Sequence, residues 1–312
     1  MDLELNQDQR ALQEAIAQIV SHHMALPRVG PTMKPVEFYD AEQLAHELEA
    51  GEFFSIALSE DYGALEAGLL VYEAGRSPQV LETSGSALIA PLLAGAMPPR
   101  PVAVARLEDL TRAVRFLDRA KTLIVDLGDD VAVLPAAGLD IKPVHSMFAY
   151  PLGRLAAIPD FSAAQRLGRK AVPTLRRLWR TGLAFEAAAA MQAAIDFTTD
   201  YVKTRKVFAR PLGSYQAVQH RLAADVPRAR GAYWLALKAA WSGGEAEAAT
   251  AALYAQESIR QVVYDTHQFN GALGMTLEHA LHFWTFRLRL LEGELGGAVA
   301  QARDLAALAW PD

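Results

Sequence analysis

Arg205 opens the run RKVFARPLGSYQAVQH and Arg210 lies within it; the run reads as a helix end, a tight turn and a new helix start. Guanidinium groups beside the free N–H groups of a helix N-terminus suit a phosphate or diphosphate, since both the charge and the backbone donors meet its oxygens. An ordinary helix–turn–helix with solvated cations has the same spacing. A second run, His267-Gln268-Phe269-Asn270-Gly271-Ala272-Leu273-Gly274, carries two glycines where a helix ends. They would admit a flat ligand or another backbone, or they are a plain helix stop. His279 and His282, three apart, share a helical face and with Glu278 could ligate a metal. Their spacing matches no standard metal pattern, and packing or capping is the favoured reading. Glu292 and Glu294 flank Gly293, a break where a carboxylate could act as a base or simply close a charged helix. Phe283, Trp284 and Phe286 read as core.

Helices must position most of these groups. Asn6 and Gln9 form a capping box ahead of Leu12, Ile16, Ile19 and Val20 at helical spacing. Asp40 with Gln43 opens a second helix that ends at Gly51, and further helices are expected over 67–74 and 84–94. From Pro98 to Pro159 the pattern changes to short β-rich runs, PVAVARL, TLIVDL, VAVL, DIKPV and GRLAAI, with turn residues between them. Leu107 to Leu117 is expected to be helical within that stretch. Helical periodicity returns at Ser162 and runs to about Lys206, with Pro173 as a kink or boundary. Pro211-Leu212-Gly213 breaks it, and Ser214 is expected to cap a helix reaching Trp241. Ser242-Gly243-Gly244 turns the chain into a helix from Glu245 to about Phe269, and another starts near Thr276. Short connections between long helices imply an antiparallel bundle. The expected fold class is mainly α: an N-terminal helical domain over 1–97, a reduced β domain over 98–160 and a C-terminal four-helix bundle over 161–312.

Bulk properties narrow the function. The 312 residues are 52% hydrophobic and 21% charged, with net charge −6 and pI near 5.8. No polybasic run stands out, which argues against nucleic acid or an anionic membrane as a partner. No apolar stretch approaches the roughly 20 residues of a membrane span. Absence of cysteine excludes disulfides and thiolate chemistry and fits a cytoplasmic location. The polar start, MDLELNQDQR, does not read as a signal peptide.

Three runs together resemble the acyl-CoA dehydrogenase family. RKVFARPLGSYQAVQHRLAAD is similar to that family's R-x-x-F-G-x-P-x-G stretch, which ends in A-D. QFNGALGMTLEHALHFW is similar to its Q-x-x-G-G-x-G segment, and SEDYGALEAGLLVYEAGR to its P-E-x-Y-G-G region. The resemblance implies a helical domain, a β-barrel domain and a four-helix bundle. It also implies FAD-dependent oxidation of the Cα–Cβ bond of an acyl-CoA thioester. A carboxylate takes the α-proton and the flavin takes the β-hydride. Arg205 and Phe208 match positions that hold the FAD diphosphate and adenine region across a subunit interface. Leu212, Tyr215 and Gln216 match the turn and helix start lining the same cofactor. Gln268, Gly271 and Ala272 match the segment packing near its adenosine half.

The departures shape the expectation further. The family's double glycine is Gly271-Ala272 here, and Ala209 replaces the glycine after Phe208. The T-x-P-x-x-G-S-D loop and the tryptophan strand that touch the flavin ring are missing. The catalytic base is absent from both of its usual places. Leu291-Glu292-Gly293-Glu294 stands where one branch has Y-E-G-T, and the stretch around Trp179 has no carboxylate where the other branch has its glutamate. This truncated pattern is similar to the small subunits of bacterial steroid-degrading acyl-CoA dehydrogenases, which assemble as heterotetramers. It implies a larger acyl-CoA dehydrogenase subunit, or else a homo-oligomer, as partner, an acyl-CoA substrate and electron-transferring flavoprotein as electron acceptor. An assembly chain that has lost flavin is the rival expectation.

Overall fold

The computed structural model describes residues 4–26 and 41–310. Among these the fold is mainly α, at 62% helix, and no helix is long and apolar enough to cross a membrane. Helix α1 (Gln7–His22) starts at the expected capping box: Asn6 accepts from the Gln9 N–H at 2.8 Å, and Gln9 returns the bond at 3.0 Å. Ile16 and Val20 pack with Leu44 and Leu48 of α2 (Glu42–Ala50). The expected cap at Asp40 lies outside the described residues. Helix α3 (Ala64–Gly75) starts earlier than 67 because Glu66 reaches back to the Gly63 N–H at 2.8 Å. The 84–94 stretch is a π-helical turn, Ser84–Ile89, continuing into α4 (Ala90–Ala94).

The middle of the chain holds seven strands: β1 (Val102–Arg106), β2 (Val114–Arg115), β3 (Thr122–Asp126), β4 (Val131–Pro135), β5 (Ile141–Pro143), β6 (Leu152–Leu155) and β7 (Gln165–Arg166). One sheet runs β1-β3-β4-β7, with β1 parallel to β3 and the other pairs antiparallel; the second runs β2-β6-β5, all antiparallel. The helix expected over Leu107–Leu117 is absent. That stretch is a 3-10 turn (Leu107–Asp109) followed by β2, whose Val114 pairs with Gly153. Leu110, Val114 and Leu117 mimic a helical stripe by their spacing, and all three are buried in the sheet's own core.

Helix α5 (Ala171–Thr204) is the axis of the bundle. Pro173 does not kink it: it is the third helical residue, where no intrahelical acceptor exists for an N–H. A hairpin, β8 (Lys206–Val207) and β9 (Arg210–Pro211), leads to α6 (Gln216–Ser242). Ser214 is not the cap. Its hydroxyl donates to Pro211 O at 2.7 Å inside a 3-10 turn, and α6 opens after Tyr215. Then follow α7 (Glu245–Gly274), α8 (His282–Gly293) and α9 (Gly297–Ala309). α8 begins later than Thr276, because turns fill 276–281. It shares the fourth bundle position with α9, which Arg180 ties to α5 through Gln301 at 2.7 Å and Asp304 at 2.5 Å.

Alanines and glycines bring these helices together. Ala187 to Ala190 of α5 are all buried. A Cβ at Gly68 of α3 would strike the ring of Phe185, so bare backbone lets α3 lie on α5. Helix α8 grips the end of α3: the Trp284 indole donates to Arg76 O at 2.9 Å and Arg287 donates to Ser77 O at 2.6 Å.

Candidate functional site

The β8–β9 hairpin projects from the bundle where α5 ends. Phe208 and Ala209 at its tip both have positive φ, 50° and 66°, and Phe208 is 90% exposed. A glycine suits the Ala209 conformation, since an L side chain there costs about 1–2 kcal/mol. Arg205, Lys206 and Arg210 are exposed, and none has a carboxylate within ion-pair reach among the described residues. Arg210 lies 3.8 Å from the centre of the Tyr215 ring, and the Tyr215 hydroxyl donates to Val207 O at 3.0 Å. Leu212 and Tyr215 turn inward and pack on Val202, Val218, Leu222 and Phe269, seating the hairpin. Gln216 is exposed at the start of α6, a helix opening without a side-chain cap. Its first N–H groups add partial positive charge to three unneutralised cations.

Phe269 links that seat to the end of α7. There Gly271 (φ 61°, ψ −150°) breaks the helix, and Gln268, Gly271 and Ala272 line a cavity of about 580 Å³. The Ala272 methyl faces this cavity and is exposed. His267 shapes its wall. Its Nδ1 lies 3.0 Å from Gly274 O and must carry the proton, while Nε2 accepts from Thr285 Oγ1 at 3.0 Å. Burial holds the imidazole below its ordinary pKa, and Arg289 and His282 add to that. Two groups missed in the sequence complete this end. Arg221 pairs with Asp265 and lies 5.4 Å from the Tyr264 ring and 4.8 Å from that of Phe269; Tyr264 lines the cavity. Tyr264 was within reach of inspection, since it sits four residues before Gln268 and so on the same helical face.

Between the sheets and the bundle the arrangement differs. Arg115 of β2 lies 2.5 Å from Glu186 of α5 and 2.7 Å from Glu294, and the Trp179 indole donates to Glu294 at 2.7 Å. Only about 20 Å³ of space remains behind them, room for one water. Arg115 is held charged well above its ordinary pKa: its two carboxylates outweigh the burial that opposes them. Glu186 is pushed up, by burial first and by the like charge of Glu294; Arg115 offsets only part of this. Glu294 therefore does not stand free as a base: its oxygens are engaged by Arg115 and Trp179. Glu292 pairs with Arg289 at 2.8 Å at the surface.

His279 and His282 sit in packing. His279 meets the rings of Phe197 and Tyr201 edge-on, and His282 Nδ1 lies 2.8 Å from His279 O. Burial lowers both pKa values. No group of three metal-ligating side chains converges among the described residues.

Residues 174–307 match the family model of the acyl-CoA dehydrogenase C-terminal domain. Acyl-CoA dehydrogenase IpdE2 of Mycobacterium tuberculosis is 25% identical over 291 residues, covering 89% of this chain and 90% of that protein. Among solved structures, a chain of the ChsE4-ChsE5 complex from Mycobacterium tuberculosis has TM-score 0.80 at 20% identity, covering 100% of both chains. A chain of the Tcur3481-Tcur3483 steroid ACAD has TM-score 0.79 at 24% identity, covering 97% of this chain and 98% of that one. The fold is that of the acyl-CoA dehydrogenases, and the resemblance extends to the steroid-type complexes.

Proposed function

We propose that this chain is the smaller subunit of an FAD-dependent acyl-CoA dehydrogenase and completes a flavin site in a larger partner chain. One contrast carries the reading. At the hairpin end three cations stand unneutralised beside a 90% exposed Phe208 and a cavity of about 580 Å³. Between sheets and bundle, the space is filled by Arg115, Glu186 and Glu294. An exposed phenyl ring on a hairpin that also carries Arg205 and Arg210 fits an adenine and a diphosphate presented by another chain.

The residues present fit the outer half of FAD. Arg205 would hold the diphosphate, with Arg210 and the start of α6 at Gln216 adding positive charge. Phe208 would cover the adenine region, and Gln268, Gly271 and Ala272 would pack beside the adenosine. Leu212 and Tyr215 act one layer further in, by fixing the hairpin that carries Arg205 and Phe208. Bound FAD supplies the hydride acceptor for oxidation of a Cα–Cβ bond. This chain's part is to anchor that cofactor and to exclude water from its outer end. The partner supplies the carboxylate base, since Glu292 and Glu294 are both engaged here. The steroid ACAD among the structural neighbours supports a bulky, steroid-derived acyl-CoA as the substrate class, with electron-transferring flavoprotein as the acceptor of the electrons.

Co-expression with a longer acyl-CoA dehydrogenase tests the reading. A co-purifying complex should show flavin absorbance and oxidise acyl-CoA. A complex that forms without flavin would leave this chain only an assembly role.

A further inference from the structure

The cavity beside Gln268 takes its lining from three pieces of chain. Tyr264 and Gln268 stand on α7, Ala272 and Met275 on the turn beyond its break, and Phe286 and Arg289 on α8. His267 is where the three meet. Its Nδ1 reaches across the break, seven residues on, to Gly274 O at 3.0 Å, and its Nε2 meets Thr285 Oγ1 of α8 at 3.0 Å. A carbonyl only accepts, so Nδ1 carries the proton; the Thr285 hydroxyl, donating to Nε2, fixes that tautomer.

The turn needs such a tie. Its own hydrogen bonds are local: Met275 N–H donates to Ala272 O at 3.1 Å, and Thr276 donates to Leu273 O through its N–H at 3.0 Å and its hydroxyl at 2.8 Å. These bonds shape the turn without fixing it to either helix. Gly271, at φ 61°, takes the chain out of α7, and Ala272, Leu273 and Met275 are exposed. Gly274 alone turns in: it is buried against Asn270, where a Cβ would come within 2.6 Å of the Asn270 side chain. That close approach brings the Gly274 carbonyl within reach of His267. A buried carbonyl that lost its donor would keep the cost of its desolvation with nothing to offset it.

We infer that His267 is a positioning residue for the cofactor, holding the turn 271–275 against α8 so that Gln268 and the Gly271–Ala272 backbone face the adenosine half. This rests on the flavin reading above. Both ring nitrogens are engaged within the chain, so His267 acts through the turn.

Asparagine and glutamine separate the two bonds, since an Asn amide donates where Nδ1 does and a Gln amide accepts where Nε2 does. His267→Ala, His267→Asn and His267→Gln are compared with wild type by flavin dissociation constant in the partner complex, and by amide hydrogen exchange in the full chain. His267→Ala and His267→Gln, which leave Gly274 O without its donor, should hold flavin about tenfold more weakly and exchange the Met275 and Thr276 amides about tenfold faster, with α5 amides unchanged. His267→Asn should stay within about threefold of wild type on both counts. Unchanged exchange in His267→Ala, or no difference between His267→Asn and His267→Gln, overturns the proposal. Exchange that quickens throughout the bundle also overturns it, since His267 would then support the fold at large. A complex that holds flavin equally in all three variants overturns this proposal alone, whereas a wild-type complex without flavin overturns the flavin reading and this one with it.

Discussion

Arg115→Leu takes away the cation held between two buried carboxylates. Glu186 and Glu294, with side chains 10% and 12% exposed, would then face each other uncompensated. Removing one member of a buried ionic group costs about 3–5 kcal/mol, because the remaining charge stays desolvated. For a chain of this size that is roughly a 5–8 °C fall in melting temperature. The sign of its pH dependence follows from Glu186, whose folded-state pKa burial already holds above the ordinary carboxylate range. A group raised in the folded state binds protons there first as pH falls, so acidification returns stability. Without Arg115, which offsets part of that rise, Glu186 rises further. The deficit should therefore be full at pH 8 and shrink markedly by pH 5, as read by urea unfolding of variant and wild type at both values. A deficit below about 1 kcal/mol at pH 8, or an equal deficit at both pH values, would refute the buried-charge reasoning. The variant should also keep flavin in a partner complex, because the triad is not where this account places the cofactor.

Asp225 is fully buried on α6, with one oxygen facing Arg228 at 3.1 Å and the other without a partner; burial pushes its pKa up to about 6. Asp225→Asn should therefore stabilise the protein above pH 6 by about 1–2 kcal/mol, and by nothing below pH 4, in denaturant titrations at each pH. The full shift is worth about 3 kcal/mol, from which loss of the Arg228 pair subtracts. Ala209→Gly should relieve the strained φ of 66° and raise stability by up to about 1 kcal/mol, measured the same way; unchanged stability would mean that the hairpin tip tolerates its methyl.

The long helices were legible because their evidence is local. Periodicity, the Asn6–Gln9 box and the breaks at Pro211 and Gly243 all lie within a few residues of what they specify. Leu107–Leu117 shows where such evidence misleads. Its leucines and Val114 have helical spacing, yet the backbone of Val114 finds its partner at Gly153, which no local pattern reveals. Part of the site was legible in the same uneven way. Arg205, Phe208, Gln268 and Gly271 stand in runs that resemble a family, and Tyr264 lies one helical turn before Gln268, while Arg221 became visible only once two helices were placed side by side. Glu186 was hidden altogether. It stands next to an alanine run, and its partner Arg115 is 71 residues away in the chain. Glu294 was singled out as a base, but the groups that occupy it, Arg115 and Trp179, come from other elements.

The central claim is that this chain contributes the outer grip on a flavin that a partner holds. Flavin content per pair of chains, measured by absorbance after denaturing the purified complex, tests it most directly, with Arg205→Glu and Phe208→Ala introduced in this chain alone. The account predicts one flavin per pair in the wild-type complex and loss of most of it in the double variant, with the complex still assembled. Two flavins per pair, or full retention in the double variant, would contradict it.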